Sequence, residues 1–314
     1  MRVFITGGSG MTGPAVVSEL INAGHFVIGL ARSDAAAARL QALGASALRG
    51  SLQDLDRLHA GAASSDGVIH MAFSSDRTDP AARARHDVEA IDALGDALAG
   101  SGKPLIATSG TLVMPAGKIS AETDAPDENS IGAHRIPGER AALALAQRGV
   151  RASIVRLAPT VHGPGDYGFV AALVAAAHQT GVSAYIDSGE NRWPAVHRLD
   201  AARLYRLALE NAAAGTALHG AAEGAVTLKS IADQIGVRLG VPSVQLTFDD
   251  AVKHFEHASE HFGGTFLATI LAVDAPVSSD LTRSLLHWEP THYTLLEDIQ
   301  HGDYIARVSI APSP

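Results

Sequence analysis

The chain has 314 residues, 46% hydrophobic and 18% charged, so it can build a large packed core and is not a disordered polypeptide. Lys and Arg number 24 against 33 Asp and Glu, a net charge of −9 with no basic block, which removes the usual electrostatic basis for nucleic-acid binding. Cysteine is absent, which excludes disulfides, thiolate nucleophiles and Cys-ligated metal centres.

Val3–Thr6 reads as a first strand, broken by the cluster Gly7-Gly8-Ser9-Gly10-Met11-Thr12-Gly13 and followed by helix over Pro14–Ala23. The apolar stretch Val3–Ile5 ends too soon for a secretory signal. Strands follow at Phe26–Leu30, Gly67–Met71, Leu105–Thr108 and Ala152–Leu157, with helices at Asp34–Leu43 and Arg83–Ala99 between them. Strands alternating with helices imply βαβ units and a buried parallel sheet. Beyond about residue 163 the pattern loosens, with helices at Phe169–Thr180, Ala201–Ala214, Leu228–Leu239 and Asp249–Phe262, while Arg192–Leu199 reads as strand. The expected fold is α/β: a doubly wound parallel Rossmann sheet with a smaller C-terminal substrate lobe. Residues 1–163 form the dinucleotide-binding core, residues 192–215 return to it, and residues 164–191 and 216–314 form most of the lobe. The richest apolar run, Phe266–Val273, has eight residues, well short of the ~18 needed to span a membrane.

The glycine cluster carries the sharpest chemistry. Gly7, Gly10 and Gly13 stand three apart between a strand and a helix. Small residues there let the chain turn sharply and bring its backbone against a pyrophosphate, with the helix N-terminus aimed at the anion. The end of the second strand chooses the cofactor. A carboxylate there would hold the ribose 2′-hydroxyl of NAD. This chain has Arg32 and Ser33, which suit a 2′-phosphate by charge and geometry, so NADP(H) is expected over NAD(H). Asp34 reads as a helix N-cap.

With these motifs the chain resembles the short-chain dehydrogenase/reductase superfamily, in its extended and atypical branch of epimerase/dehydratase-like proteins, nearly end to end. His70-Met71-Ala72 resembles the His-x-Ala segment after the fourth strand, and Thr108-Ser109 the Ser-Ser step ending the fifth. Arg156–Gly165 resembles the segment after the sixth strand. Val196-His197-Arg198-Leu199-Asp200-Ala201-Ala202 and Leu286-His287-Trp288-Glu289-Pro290 resemble two further elements, with His287 where the family has glycine. The resemblance implies cofactor contacts from Gly7, Gly10, Met11, Thr12, Gly13, Arg32, Ser33, Ser51, Leu52, Met71, Ala72, Arg135, Pro159 and Thr160. It also suits a homodimer.

The resemblance breaks at the chemistry. The family uses Tyr-x-x-x-Lys. The lysines here, at 103, 118, 229 and 253, have no tyrosine four residues before them. The family's spacing puts Ile131 at the tyrosine place and Arg135 at the lysine place. Arg135 can hold a ribose but not supply a proton. Ser109 occupies the family's Ser/Thr place, suited to hydrogen-bonding a substrate carbonyl. By position, His134, His162, Tyr167 and Glu139 are candidates for the proton step, histidine being the natural group near neutral pH. Each has a structural alternative: Ser109 can satisfy backbone, Arg135 and Glu139 can pair along a helix, His134 can be solvated, and Tyr167 can line the pocket. Trp193 and Tyr185 can line it too, or pack in a core. Of the fifteen histidines, His254, His257 and His261 share one helical face, but no convergent ligand set frames them, so no metal is expected.

These readings together imply a cytoplasmic NADP(H)-dependent oxidoreductase acting on a small carbonyl or alcohol. The alternatives are a non-catalytic NADP(H)-binding sensor and, less favoured, a sugar epimerase or dehydratase. The partner is a small-molecule substrate, with no role for nucleic acid or membrane.

Overall fold

The computed structural model describes residues 1–74, 79–256 and 262–310. Its strands are β1 (Arg2–Thr6), β2 (Phe26–Ala31), β3 (Ser46–Arg49), β4 (Gly67–His70), β5 (Pro104–Gly110), β6 (Arg151–Leu157), β7 (Thr160–His162), β8 (Ser183–Ile186), β9 (Arg192–His197), β10 (Thr216–Gly220), β11 (Glu223–Thr227) and β12 (Ser243–Leu246). Its helices are α1 (Gly13–Asn22), α2 (Asp34–Ala42), α3 (Leu55–Ala63), α4 (Pro80–Leu98), α5 (Ile136–Ala144), α6 (Phe169–Thr180), α7 (Arg198–Asn211), α8 (Leu228–Leu239), α9 (Phe248–His254), α10 (Gly264–Leu271), α11 (Asp280–Leu286), α12 (Leu295–His301) and α13 (Tyr304–Ile310).

Seven strands form one parallel sheet in the order β10-β6-β5-β4-β1-β2-β3. Its central strands are apolar on both faces, as a sheet covered by helices on each side requires. One core, with Val16, Leu20, Tyr205 and Trp288, lies between the sheet and α1 and α7; another, with Phe4, Leu58, Leu94 and Ile154, lies on the opposite face. The chain order reverses between β1 and β4. A crevice at the carboxyl ends of the strands is expected at such a switch point.

The second lobe has its own core, built on Trp193, Phe255, Leu267 and Leu295. Its division from the sheet differs from the sequence expectation in two places. Residues 216–220 pair with β6 at the edge of the large sheet, so they lie outside the lobe. Residues 192–197 form a separate three-stranded sheet with β7 and β11; what packs on the large sheet is α7. The sequence reading also lacks β3 and α3, and α9 ends at His254 instead of Phe262. His257 and His261 lie outside the described residues.

Local details follow from cap chemistry. Ser33 caps α2, accepting the N–H of Ala36 at 3.2 Å, and Asp34 is the first helical residue, not the cap. His287 closes α11 with φ +49°, a left-handed conformation ordinarily favouring glycine. The next residue, Trp288, is buried and donates from Nε1 to Asp200 O at 3.0 Å. Asp200 also accepts the N–H groups of Thr291 and His292 and the His292 Nδ1–H at 2.8 Å, which pins this turn to α7.

Beside that turn His197 caps α7, its Nδ1 accepting the Leu199 N–H at 3.2 Å. Burial, reinforced by His162 and His292, lowers its pKa to about 4. The unfolded imidazole takes up its proton near pH 6.5, so folding stability present above that value falls as pH drops toward 4. His197→Asn replaces the capping Nδ1 with an amide oxygen and should reduce the slope of unfolding free energy against pH in this window, by an amount approaching one proton. Urea melts at intervals of pH measure it, and an unchanged slope would retire the assignment.

Candidate functional site

A cleft of about 730 Å³ opens at the switch point. Its floor is the glycine loop. Gly7 has φ +77°, and a Cβ on it would lie 2.7 Å from the backbone nitrogen of Ala72. A Cβ on Gly13 would collide with the carbonyl of Gly7. These two glycines therefore let the loop fold against β4 and the loop's own start, while Gly10, whose amide donates to Gly7 O at 3.0 Å, lies on the cleft wall.

The sequence candidates divide on this cleft. Gly7, Gly10, Met11, Thr12, Gly13, Arg32, Ser33, Ser51, Leu52, Met71, Ala72 and Tyr167 line it; Ser109, His134, Arg135, Pro159 and Thr160 do not. At the β2–β3 end the lining includes Arg32, Ser33, Arg39, Ser51 and Gln53, without a carboxylate among the described residues. The nearby acid, Asp34, is instead 3.1 Å from Arg49 on the surface. Asp54 accepts the Ser51 N–H at 2.6 Å, which bends the loop along the cleft wall. Arg39, one turn along α2, is a lining cation that the sequence reading did not single out. Its position seven residues after Arg32 becomes informative only once α2 is placed.

At the β4–β5 end the lining contains Phe73, Arg83, His86, Asp87 and Thr108. Arg135 lies just beneath, at the start of α5. Its Nη2 donates to Thr108 O, and its guanidinium stacks 3.8 Å from the centre of the Phe73 ring. Its Nη1 is buried with no hydrogen-bond partner among the described residues, 3.9 Å from Asp87 Oδ2. The expected helix pair of Arg135 with Glu139 does not form. Glu139 is buried and accepts from Arg156 Nε at 3.1 Å, and Arg156 Nη2 bonds it as well. This also removes Glu139 as a proton donor. Pro137 falls in the first turn of α5, where a missing N–H costs nothing, so the helix is not interrupted.

The other candidates are placed as follows. Ser109 follows Thr108 on β5, with its Oγ buried and unpartnered among the described residues. Ile131 packs against the core of the second lobe. His134 is half-buried beside Phe73, ring centres 5.8 Å apart, and burial with Arg83 and Arg135 lowers its pKa. His162 is buried, its Nδ1 3.0 Å from Asp298 Oδ2, away from the cleft lining. Tyr167 is 47% exposed over the cleft, its hydroxyl pKa raised by burial. Arg198 anchors the adjoining loop by donating to both Pro164 O and Met11 O. Trp193 is buried with Nε1 donating to Val273 O at 3.0 Å, and Tyr185 lies on β8 beneath Lys229; neither lines the cleft.

His197, Asp200 and His292 place ligand-type atoms within 4.8 Å of one another. Their hydrogen bonds to backbone and to each other already account for this grouping as the latch at the start of α7.

The model of the NAD dependent epimerase/dehydratase family matches residues 3–219. The chain belongs to this family. This member is 46% identical over 305 residues to an uncharacterized protein of Schizosaccharomyces pombe, covering 97% of this chain and 100% of that one. A 72-residue stretch, 23% of this chain and 22% of the other, is 43% identical to a 4-hydroxy-2-methyl-3-oxo-4-farnesyl-3,4-dihydroquinoline-1-oxide ketoreductase of Stigmatella aurantiaca. The fold matches a Bacillus anthracis dTDP-glucose 4,6-dehydratase solved with NAD, at TM-score 0.75, 16% identity, 98% coverage of this chain and 97% of that one.

The cleft suits the family's dinucleotide. Its glycine floor leaves backbone for a pyrophosphate at the start of α1. Among the described residues no helix is long and apolar enough to cross a membrane.

Proposed function

We propose that this protein is an NADP(H)-dependent oxidoreductase that interconverts a small carbonyl compound and its alcohol. The observation that carries the reading is the β2–β3 end of the cleft, where two arginines and, among the described residues, no carboxylate line the wall. A 2′-phosphate needs that charge, whereas a ribose diol needs an acid. The local match to a ketoreductase agrees with the carbonyl half.

In this reading Gly7, Gly10 and Gly13 with the start of α1 hold the pyrophosphate, Arg32 and Ser33 hold the 2′-phosphate, and Ser51 and Leu52 border the adenosine. Arg135 donates to the nicotinamide ribose. The bound nicotinamide supplies or accepts the hydride. Ser109 offers its unpartnered hydroxyl to the substrate oxygen. With its pKa lowered, His134 is the group suited to take a proton from an alcohol. Tyr167 covers the cofactor instead of transferring the proton. A second reading, a cofactor-binding sensor without turnover, is favoured by one observation: Ile131, at the family's tyrosine place, packs against the lobe core.

The deciding experiment follows NADPH consumption with a panel of aldehydes, ketones and activated alkenes, with NADH in parallel. Turnover that falls in Ser109→Ala, at an unchanged Kd for NADPH, is the expected result. Tight NADPH binding with no turnover across the panel would replace this reading with the sensor. Unchanged turnover in Ser109→Ala would remove Ser109 from the site.

A further inference from the structure

A buried polar chain runs beneath the β4–β5 end of the cleft, and the cofactor contacts above do not use it. Asp87 lies on α4 and is 4% exposed. Its Oδ1 is 3.2 Å from Nε2 of His70, which is 1% exposed. His70 Nδ1 lies 2.8 Å from Thr6 Oγ1, an oxygen that also accepts the Ala72 N–H at 3.2 Å. A carboxylate oxygen only accepts, so His70 donates from Nε2 and shares the Thr6 hydroxyl at Nδ1.

The other oxygen, Asp87 Oδ2, faces Arg135 Nη1 at 3.9 Å. It also rests against Gly138 in the first turn of α5, where any Cβ would collide with it. Arg135 is held on two further sides, by Thr108 O and by the face of Phe73. Asp87 of α4, Thr108 of β5 and Phe73, just after β4, thus converge on one guanidinium. Such a group, buried with an unpaired charge, would be strongly destabilising, and Asp87 is the carboxylate placed to offset it.

We propose that Asp87, backed by His70, is the positioning residue for Arg135. It fixes the guanidinium at the β4–β5 end of the cleft and balances its charge against the cationic nicotinamide of the oxidised cofactor. The charge-balance half rests on the NADP(H) reading above; the positioning half does not.

Asp87→Asn keeps the shape and removes the charge. Titration of NADP⁺ and NADPH against wild type and variant should show the ratio of Kd for NADP⁺ to Kd for NADPH rising about tenfold in the variant, the size of a screened charge contact of several ångströms. The rise should vanish in an Arg135→Met background. Gly138→Ala, which displaces the carboxylate without deleting it, should move the ratio the same way. An unchanged ratio in Asp87→Asn, or a rise that persists without Arg135, overturns the charge balance.

A second measurement needs no cofactor. Phenylglyoxal modification of Arg135, followed by peptide mass, should be several-fold faster in Asp87→Asn than in wild type. Equal rates overturn the positioning role. A wild type that binds neither nucleotide would overturn the NADP(H) reading and the charge balance with it, and the modification rates would still decide the positioning.

Discussion

Arg32→Ala is expected to weaken NADPH binding by about tenfold to a hundredfold, the range for losing a charge-assisted contact to a phosphate, while NADH binding stays within about threefold. Arg32 stands at the end of β2 on the cleft wall, with Ser33 beside it and Arg39 one turn along α2. Asp34, the acid that would otherwise select a ribose diol, is engaged with Arg49 outside the cleft. NADH lacks the 2′-phosphate, so it loses little when the guanidinium goes. Parallel calorimetric titrations of the two reduced nucleotides test this. Equal losses for both would show that Arg32 serves the adenosine generally and would remove the basis for an NADP(H) preference.

The second large effect concerns stability. Glu139→Gln should cost about 3–5 kcal/mol of unfolding free energy, because it leaves Arg156 charged and buried without its counter-ion. Both oxygens of Glu139 accept from Arg156 Nε, at 3.1 and 3.2 Å. Arg156 Nη1 continues to Glu122 O at 3.3 Å and to His219 Nε2 at 3.4 Å. His219 Nδ1 donates to Ser278 O at 2.7 Å, and Glu122 Oε1 accepts the Thr282 N–H and hydroxyl, each at 2.7 Å. The pair therefore ties the carboxyl ends of β6 and β10 to the segments around residues 122 and 280. Urea denaturation should show a lower midpoint at an unchanged m-value. Glu139→Met with Arg156→Met should recover most of the loss, since removing both charges removes the desolvation cost as well. A midpoint unmoved by Glu139→Gln would mean the pair adds nothing.

Much of this molecule is legible from residue order alone, because the relevant physics is local. Strand and helix periodicities act over a few residues, so β1, β2, β4, β5 and β6 and helices such as α6 and α8 stand out as patterns. The glycine loop is partly local: Gly13 answers clashes with Gly7 and Gly8 in its own turn and Gly7 supplies a positive φ there, while the space beside Gly7 is set by the distant Met71 and Ala72. Arg32 follows from its distance along β2. The short strand β3 escapes notice because it lies at the sheet edge and is only half-buried, so its residues need no continuous apolar run. Residues 192–197 read as strand and residues 216–220 as part of the lobe, but which sheet a segment joins depends on partners as much as about 60 residues away in sequence.

The charged residues mark the same limit more sharply. Spacing along the chain offers Arg135 to Glu139 at one helical turn, yet the fold gives Glu139 to Arg156 and Arg135 to Asp87. Burial decides this. In a low-dielectric interior a charge takes the counter-ion that sheet and helix packing bring beside it, and sequence distance has no bearing on which one that is. The identity of the loop and the sign of its cofactor end were written in the order of residues; the partner of each buried charge was settled only when β5, β6, α4 and α5 closed around them.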